Sequence, residues 1–334
     1  MPVTKKTYGT MPGGRAVDVY TLDNGHLSAQ ILTYGATLDT LWVPDRQGKL
    51  ENILCTFGSL EERIAKSQYQ GEIVGRYANR IANAKFTLGR QEYHVTPNEK
   101  GVNCLHGGGE FSRDLWEAGL LEENALELQF TSAARAHGFP GAVRARVRYT
   151  LAGGSLVIEY HARSGADTVL NLTNHAYFNL AGHALYGLCG QGDILGHELQ
   201  IDADRYLPID DKSIPTGELR PVEGTPFDFR RPKPIGRDIF ADDPQLAQCG
   251  GYDHNFCNPG RIEVCEPLSG RVMRVETDLP GVQLYTGNNL PARHTGFCLE
   301  TQAWPDSPNR WPEQCLLRAG KDYDTTTRFE FSVR

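Results

Sequence analysis

Apolar and polar positions alternate with period two along much of the chain, which is the pattern of half-buried strands. Val17, Val19 and Thr21 alternate with Asp18 and Tyr20, Asn24-Gly25 follows, and Leu27, Ala29 and Ile31 resume the pattern. Asn-Gly tolerates the positive φ of a type I′ turn, so a β-hairpin is predicted here. Residues 86–88 and 93–95 repeat the arrangement around Gly89-Arg90, with a longer turn. In the clearest case Val143, Ala145, Val147 and Tyr149 alternate with Arg144, Arg146 and Arg148, and Gly153-Gly154 leads into a second strand over 156–163. Shorter strands are predicted at 271–276, 282–285 and 325–333. The most helix-like stretch is 59–68, where Ser59 and Glu62 stand at capping-box spacing. Strands without intervening amphipathic helices argue against a parallel βαβ sheet. They predict an all-β fold, a large antiparallel β-sandwich with few short helices.

Nothing in the 334 residues marks a linker. The proline-rich stretch 221–234 is the best boundary, yet Phe227, Phe229 and Ile235 make it an ordered loop packed on the body. One domain over residues 1–334 is expected. The formal charge of −7 disfavours a nucleic-acid or anionic-membrane partner, since either needs a basic surface. The longest run without Asp, Glu, Lys or Arg, 168–192, is interrupted by Asn171, Asn174, His175, Asn179 and His183, too polar to cross a bilayer. Two lysines near the start have no apolar run behind them, so no secretory signal is read there and a cytoplasmic location is expected. Eight cysteines (Cys55, Cys104, Cys189, Cys249, Cys257, Cys265, Cys298 and Cys315) form no C-x-x-C pair and mostly sit in apolar stretches. They are expected to be reduced, buried thiols rather than zinc ligands.

Five segments are polar where the surrounding pattern predicts core: Gly75 to Ile81, Leu105-His106-Gly107-Gly108-Gly109, Asn171 to Leu180, Gly251 to Phe256, and Cys298 to Gln302. Local breaks of pattern mark functional sites. Each has a plainer reading. His106 can sit at a turn, since the glycines after it form no phosphate loop. His175 can be a hydrogen-bonded core histidine, Glu300 a solvated edge carboxylate, Asn79-Arg80 a surface turn and Asp253 an Asx-turn residue. The arginine stripe is more simply a solvated face than a phosphate site. His26, His94, His137, His161, His183, His197, His254 and His294 lack metal-ligand spacing, so no metal is expected.

Taken together and in order, GRYANRI, LHGG, LTNHAYFNL, GYDHNF, PGVQLYTGN and CLETQAWPD resemble the aldose 1-epimerase (galactose mutarotase) family over residues 5–334. The resemblance implies the antiparallel sandwich of that superfamily and interconversion of the α and β anomers of a free aldohexose, such as galactose or glucose. Carried over by motif, Glu300 would be the general base, His175 the general acid, and His106 would assist on the ring-oxygen side. Asn79, Arg80, Asp253 and Gln283 would bind sugar hydroxyls, and Tyr177 would line the cleft. The chemistry needs one base and one acid, no cofactor and no metal. A carboxylate near two imidazoles favours an ionised Glu300 and a protonated His175. The loop after LHGG departs from the family: it reads Gly109-Glu110-Phe111-Ser112-Arg113-Asp114-Leu115-Trp116, without the usual Gly-Phe pair, which bears on the preferred sugar.

Three rivals stand beside this reading. A glycosidase would pair Glu300 with Asp253 across a scissile bond. A sugar-binding module would have lost its acid or base. A phosphosugar epimerase would use the arginine stripe. The expected partner is a small-molecule aldose, and the expected state a monomer or homodimer.

Overall fold

The computed structural model describes residues 2–182 and 192–334; His183 and Cys189 lie outside the described residues. Three larger antiparallel sheets dominate. The first runs Thr4–Thr10, Ala16–Asp23, Ser28–Leu32, Leu38–Pro44 and Leu50–Asn52 in simple succession. The second has nine strands in the order Glu117–Glu122, Ala125–Ser132, Val143–Ala152, Ser155–Ser164, Asp322–Val333, Arg271–Thr277, Ile262–Cys265, Glu198–Ile201 and Lys233–Pro234. The third is ordered Arg220–Pro221, Arg205–Tyr206, Asp253–Cys257, Gly281–Tyr285 and Cys298–Gln302. The helix Leu60–Lys66 begins as expected, with the Ser59 side chain accepting from Glu62 N.

One continuous core joins the sheets. Leu22, Ala29, Ile31 and Leu41 of the first meet Leu126, Leu128, Val147 and Tyr149 of the second, and Phe256, Val282 and Leu284 of the third. Tyr149 carries its hydroxyl across the core to the Ala36 carbonyl, 2.6 Å away, so the buried oxygen keeps a partner. The 221–234 stretch is ordered, with Phe227, Phe229 and Ile235 fully buried. The arginine stripe faces outward beside acids: Arg148 reaches Glu122 at 2.5 Å and Arg146 reaches Glu127 at 3.9 Å. Two of its three cations are thus met by neighbouring strands, which removes the support for a phosphate site there.

Several expectations are corrected. The Asn24-Gly25 turn is not type I′: Gly25 alone has positive φ (79°), and the loop spans 24–27. The Asn24 side chain accepts the His26 and Leu27 amides at 3.0 and 2.8 Å, so an Asx turn replaces the backbone turn. The next hairpin is tighter than expected, because Gln91 and Glu92 pair with Leu88 and Thr87 and leave two residues in the turn. Cys55 is disulfide-bonded rather than reduced. Spacing along a chain carries no information on which sulfurs the fold brings to bonding distance. Cys104, Cys249, Cys257, Cys265, Cys298 and Cys315 are free. No helix among the described residues is long and apolar enough to cross a membrane.

Candidate active site

The third sheet supplies one wall of a cleft. Its register sets Asp253 opposite Tyr285 and Cys298, and Asn255 opposite Gln283 and Glu300. Because side chains alternate along a strand, these two rows share a face, while Phe256, Val282 and Leu299 turn to the core. Two other segments cross that face. Thr173–Asn174 pairs with Ile73–Val74, and His175 continues the ladder, its amide on the Glu72 carbonyl at 3.0 Å and its carbonyl on the Gly71 amide at 2.9 Å. Arg80–Ile81 pairs with Cys104–Leu105, which delivers His106 beside Asn79. Asn79 and His106 both adopt left-handed backbone, φ 64° and 50°, and hold each other there. The His106 amide donates to the Asn79 carbonyl at 3.0 Å, and the Asn79 amide donates to His106 Nδ1 at 3.2 Å. Gly107 is required next: a Cβ there would come 2.3 Å from Arg76 N.

The result is a cleft of about 310 Å³ whose walls include Asn79, Arg80, His106, His175, Tyr177, Asp253 and Glu300. A larger hollow of about 440 Å³, beside Gly25, Arg46 and Val333, gathers no comparable set of groups. In the cleft His175 Nε2 lies 3.6 Å from Glu300 Oε2, and both residues are buried. Tyr177 stacks on the His175 ring at 5.1 Å and anchors its hydroxyl on the Gln68 carbonyl at 3.0 Å. Arg80 is held by Glu99 at 2.9 Å and approaches Asp253 at 3.9 Å. Gln283, opposite Glu300 in the register, donates its amide to Asp253 Oδ1 at 2.7 Å and so orients that carboxylate.

Electrostatics in the cleft overturn one expectation. Burial pushes His175 down to about 4, and it pushes Glu300 up to about 8 with help from Asp253 and against Arg80. His106 is driven well below the usual histidine range by burial and by His175. Desolvation therefore acts against the imidazolium and the carboxylate alike, and burial favours the neutral pair over the ion pair.

Residues not singled out from the sequence complete the site. Tyr69, itself left-handed at φ 70°, lies over both histidines, 4.5 Å from His106 and 5.8 Å from His175. Nothing in the loop after a short helix signals this. The altered loop folds into the turn Glu110–Arg113, tied by Trp116 Nε1 to the Phe111 carbonyl at 2.8 Å, and sets Arg113 at the rim, 5.8 Å from the Tyr69 ring. Cys298 contacts His175, and its place two residues before Glu300 is the signal that would have found it.

His106, His175 and Glu300 bring ligating atoms within 4.8 Å of one another, a spacing that suits a cation. The donor set does not. A metal-bound imidazole donates its other N–H to an acceptor, whereas Nδ1 of His106 already accepts the Asn79 amide, which leaves the neutral ring's proton on Nε2.

The sequence from 18 to 330 matches the family model described as aldose 1-epimerase. The galactose mutarotase of Rattus norvegicus is 42% identical, with 99% of each chain covered, and the aldose 1-epimerase of Escherichia coli (strain K12) is 35% identical, with 98% of each covered. Among solved structures, the galactose 1-epimerase of Lactobacillus acidophilus NCFM superposes with a TM-score of 0.86 at 26% identity, over 99% of this chain and 98% of that one. With its antiparallel sheets and buried His175–Glu300 pair, the chain belongs to the aldose 1-epimerase family of isomerases.

Proposed function

We propose that this cleft interconverts the α and β anomers of a free aldohexose, galactose or glucose, with Glu300 as base and His175 as acid. The observation that carries the reading is the buried approach of His175 Nε2 to Glu300 Oε2, 3.6 Å, beside Arg80 and Asp253. Glu300 takes the proton of the anomeric hydroxyl while His175 gives one to the ring oxygen. The bond between C1 and the ring oxygen breaks with its electrons going to that oxygen, and C1 becomes an aldehyde. Rotation about C1–C2 and the reverse proton transfers close the ring on the other face. Opening turns imidazolium and carboxylate into imidazole and carboxylic acid, the pair that burial favours, so the site is built around the open-chain state. His106 donates from Nε2 on the ring-oxygen side. Asn79, Arg80 and Asp253 hold hydroxyls, Gln283 fixes Asp253, and Tyr177 forms a wall.

The pair works with one proton between its members. Below about 4 it takes a second, and above about 8 it loses the first, so kcat/KM should be flat between these limits and fall on both sides. Polarimetry of freshly dissolved α-galactose across pH, corrected for the uncatalysed rate, tests this; rates that keep rising through pH 10 would contradict it. His175→Asn should lower kcat by about 10²-fold with KM little changed, as expected when a transition-state interaction is removed. A pure KM effect would make His175 a binding residue. Release of reducing sugar from oligosaccharides would favour the glycosidase reading instead.

A further inference from the structure

The two histidines of the cleft differ in what stands at Nδ1. His106 receives a backbone N–H there, from Asn79 at 3.2 Å, a group that can only donate. His175 meets the Cys298 thiol, with Sγ 3.6 Å from Nδ1. Cys298 is wholly buried and shares its strand face with Glu300, so one face of one strand touches both nitrogens of the ring. The other groups facing His175 are Tyr69, Tyr177 and His106, all through ring contacts. The carbonyl of His175 accepts the Gly71 amide. A thiol both donates and accepts hydrogen bonds.

We propose that Cys298 is the positioning residue of the acid: its sulfur accepts Nδ1–H from His175 in both the imidazolium and the neutral ring. Nε2 then faces the cleft with a proton in the one state and a bare lone pair in the other, and His175 can cycle between them. His106 cannot, because a second ring proton would meet the Asn79 N–H. The Nδ1 partner thus decides which histidine is the acid and which remains a neutral donor. This rests on the reading of His175 as acid.

The direct test is the protonation pattern of the ring nitrogens, read by ¹⁵N NMR on the intact protein. At pH 7.5 neutral His175 should carry its proton on Nδ1, and His106 should carry its proton on Nε2. Towards pH 4, His175 should gain Nε2–H while His106 Nδ1 stays bare. A bare Nδ1 on His175 at pH 7.5, or His106 titrating alongside it, would overturn the proposal. In kinetics, Cys298→Ala should lower kcat about five- to tenfold with KM within about twofold, and Cys298→Ser should restore it to within about threefold of the parent. An alanine variant with full kcat would also overturn it. The nitrogen pattern needs no turnover, so it stands even if Cys298→Ala fails to fold. If His175→Asn kept its activity while the pattern held, the reading of His175 as acid would fall and the hydrogen bond would remain.

Discussion

Glu300→Gln is expected to lower kcat by about 10³-fold while leaving KM within about threefold. Glutamine has nearly the shape of glutamate and remains on the same face of the strand Cys298–Gln302, so the cleft keeps its walls. What disappears is the group that accepts the anomeric proton. Glu300 Oε2 is buried without a hydrogen-bond partner, so the amide disrupts no existing bond at that atom. Burial also makes the ionised carboxylate costly, and a neutral amide escapes that cost. The variant should therefore unfold at no lower temperature than its parent above pH 8, a combination that separates a lost base from a damaged fold. Polarimetry and a thermal melt on the same preparation give both numbers. A variant with parental turnover would remove Glu300 from its role.

The second large effect lies outside the cleft. Arg63 is fully buried and donates to Asp39 at 2.5 Å, to the Gln70 carbonyl at 2.7 Å and to Glu72 at 3.2 Å. Arg63→Met should cost about 3–5 kcal/mol in urea unfolding, because it leaves two buried carboxylates without their cation. The damage should reach the site. Residues 67–72 carry Tyr69 onto both histidines, offer the Gln68 carbonyl to Tyr177 and offer the Glu72 carbonyl to the His175 amide. A fall in kcat is therefore expected alongside the lost stability. Replacing all three charges together, Arg63→Met with Asp39→Asn and Glu72→Gln, should recover most of the stability. A loss below about 1 kcal/mol for the single variant would show that the network is not needed.

Much of this was legible in the chain because strands write their burial in period two. The alternation around Val143–Ala152 gave both the buried and the outward face, and the same rule places Cys298 and Glu300 together. The polar motifs located Asn79, His106, His175 and Asp253, all of which reach the cleft wall. Three things were not legible, and each depends on the third dimension. Tyr69 enters through a left-handed residue in a loop with no periodic pattern. Gln283 faces the correct side of its strand, but only the position of Asp253 shows that its amide serves the carboxylate. The charge state of the His175–Glu300 pair follows from burial, which adjacency in sequence cannot report.

The strand Asp322–Val333 lies in the middle of the nine-stranded sheet, between Ser155–Ser164 and Arg271–Thr277. During synthesis the two halves of that sheet therefore wait, each with an open edge, until this later strand has cleared the ribosome. Long-range closure of this kind is slow, and until then both open edges offer unpaired backbone groups to other chains. Losing a dozen residues there would split the molecule rather than trim it.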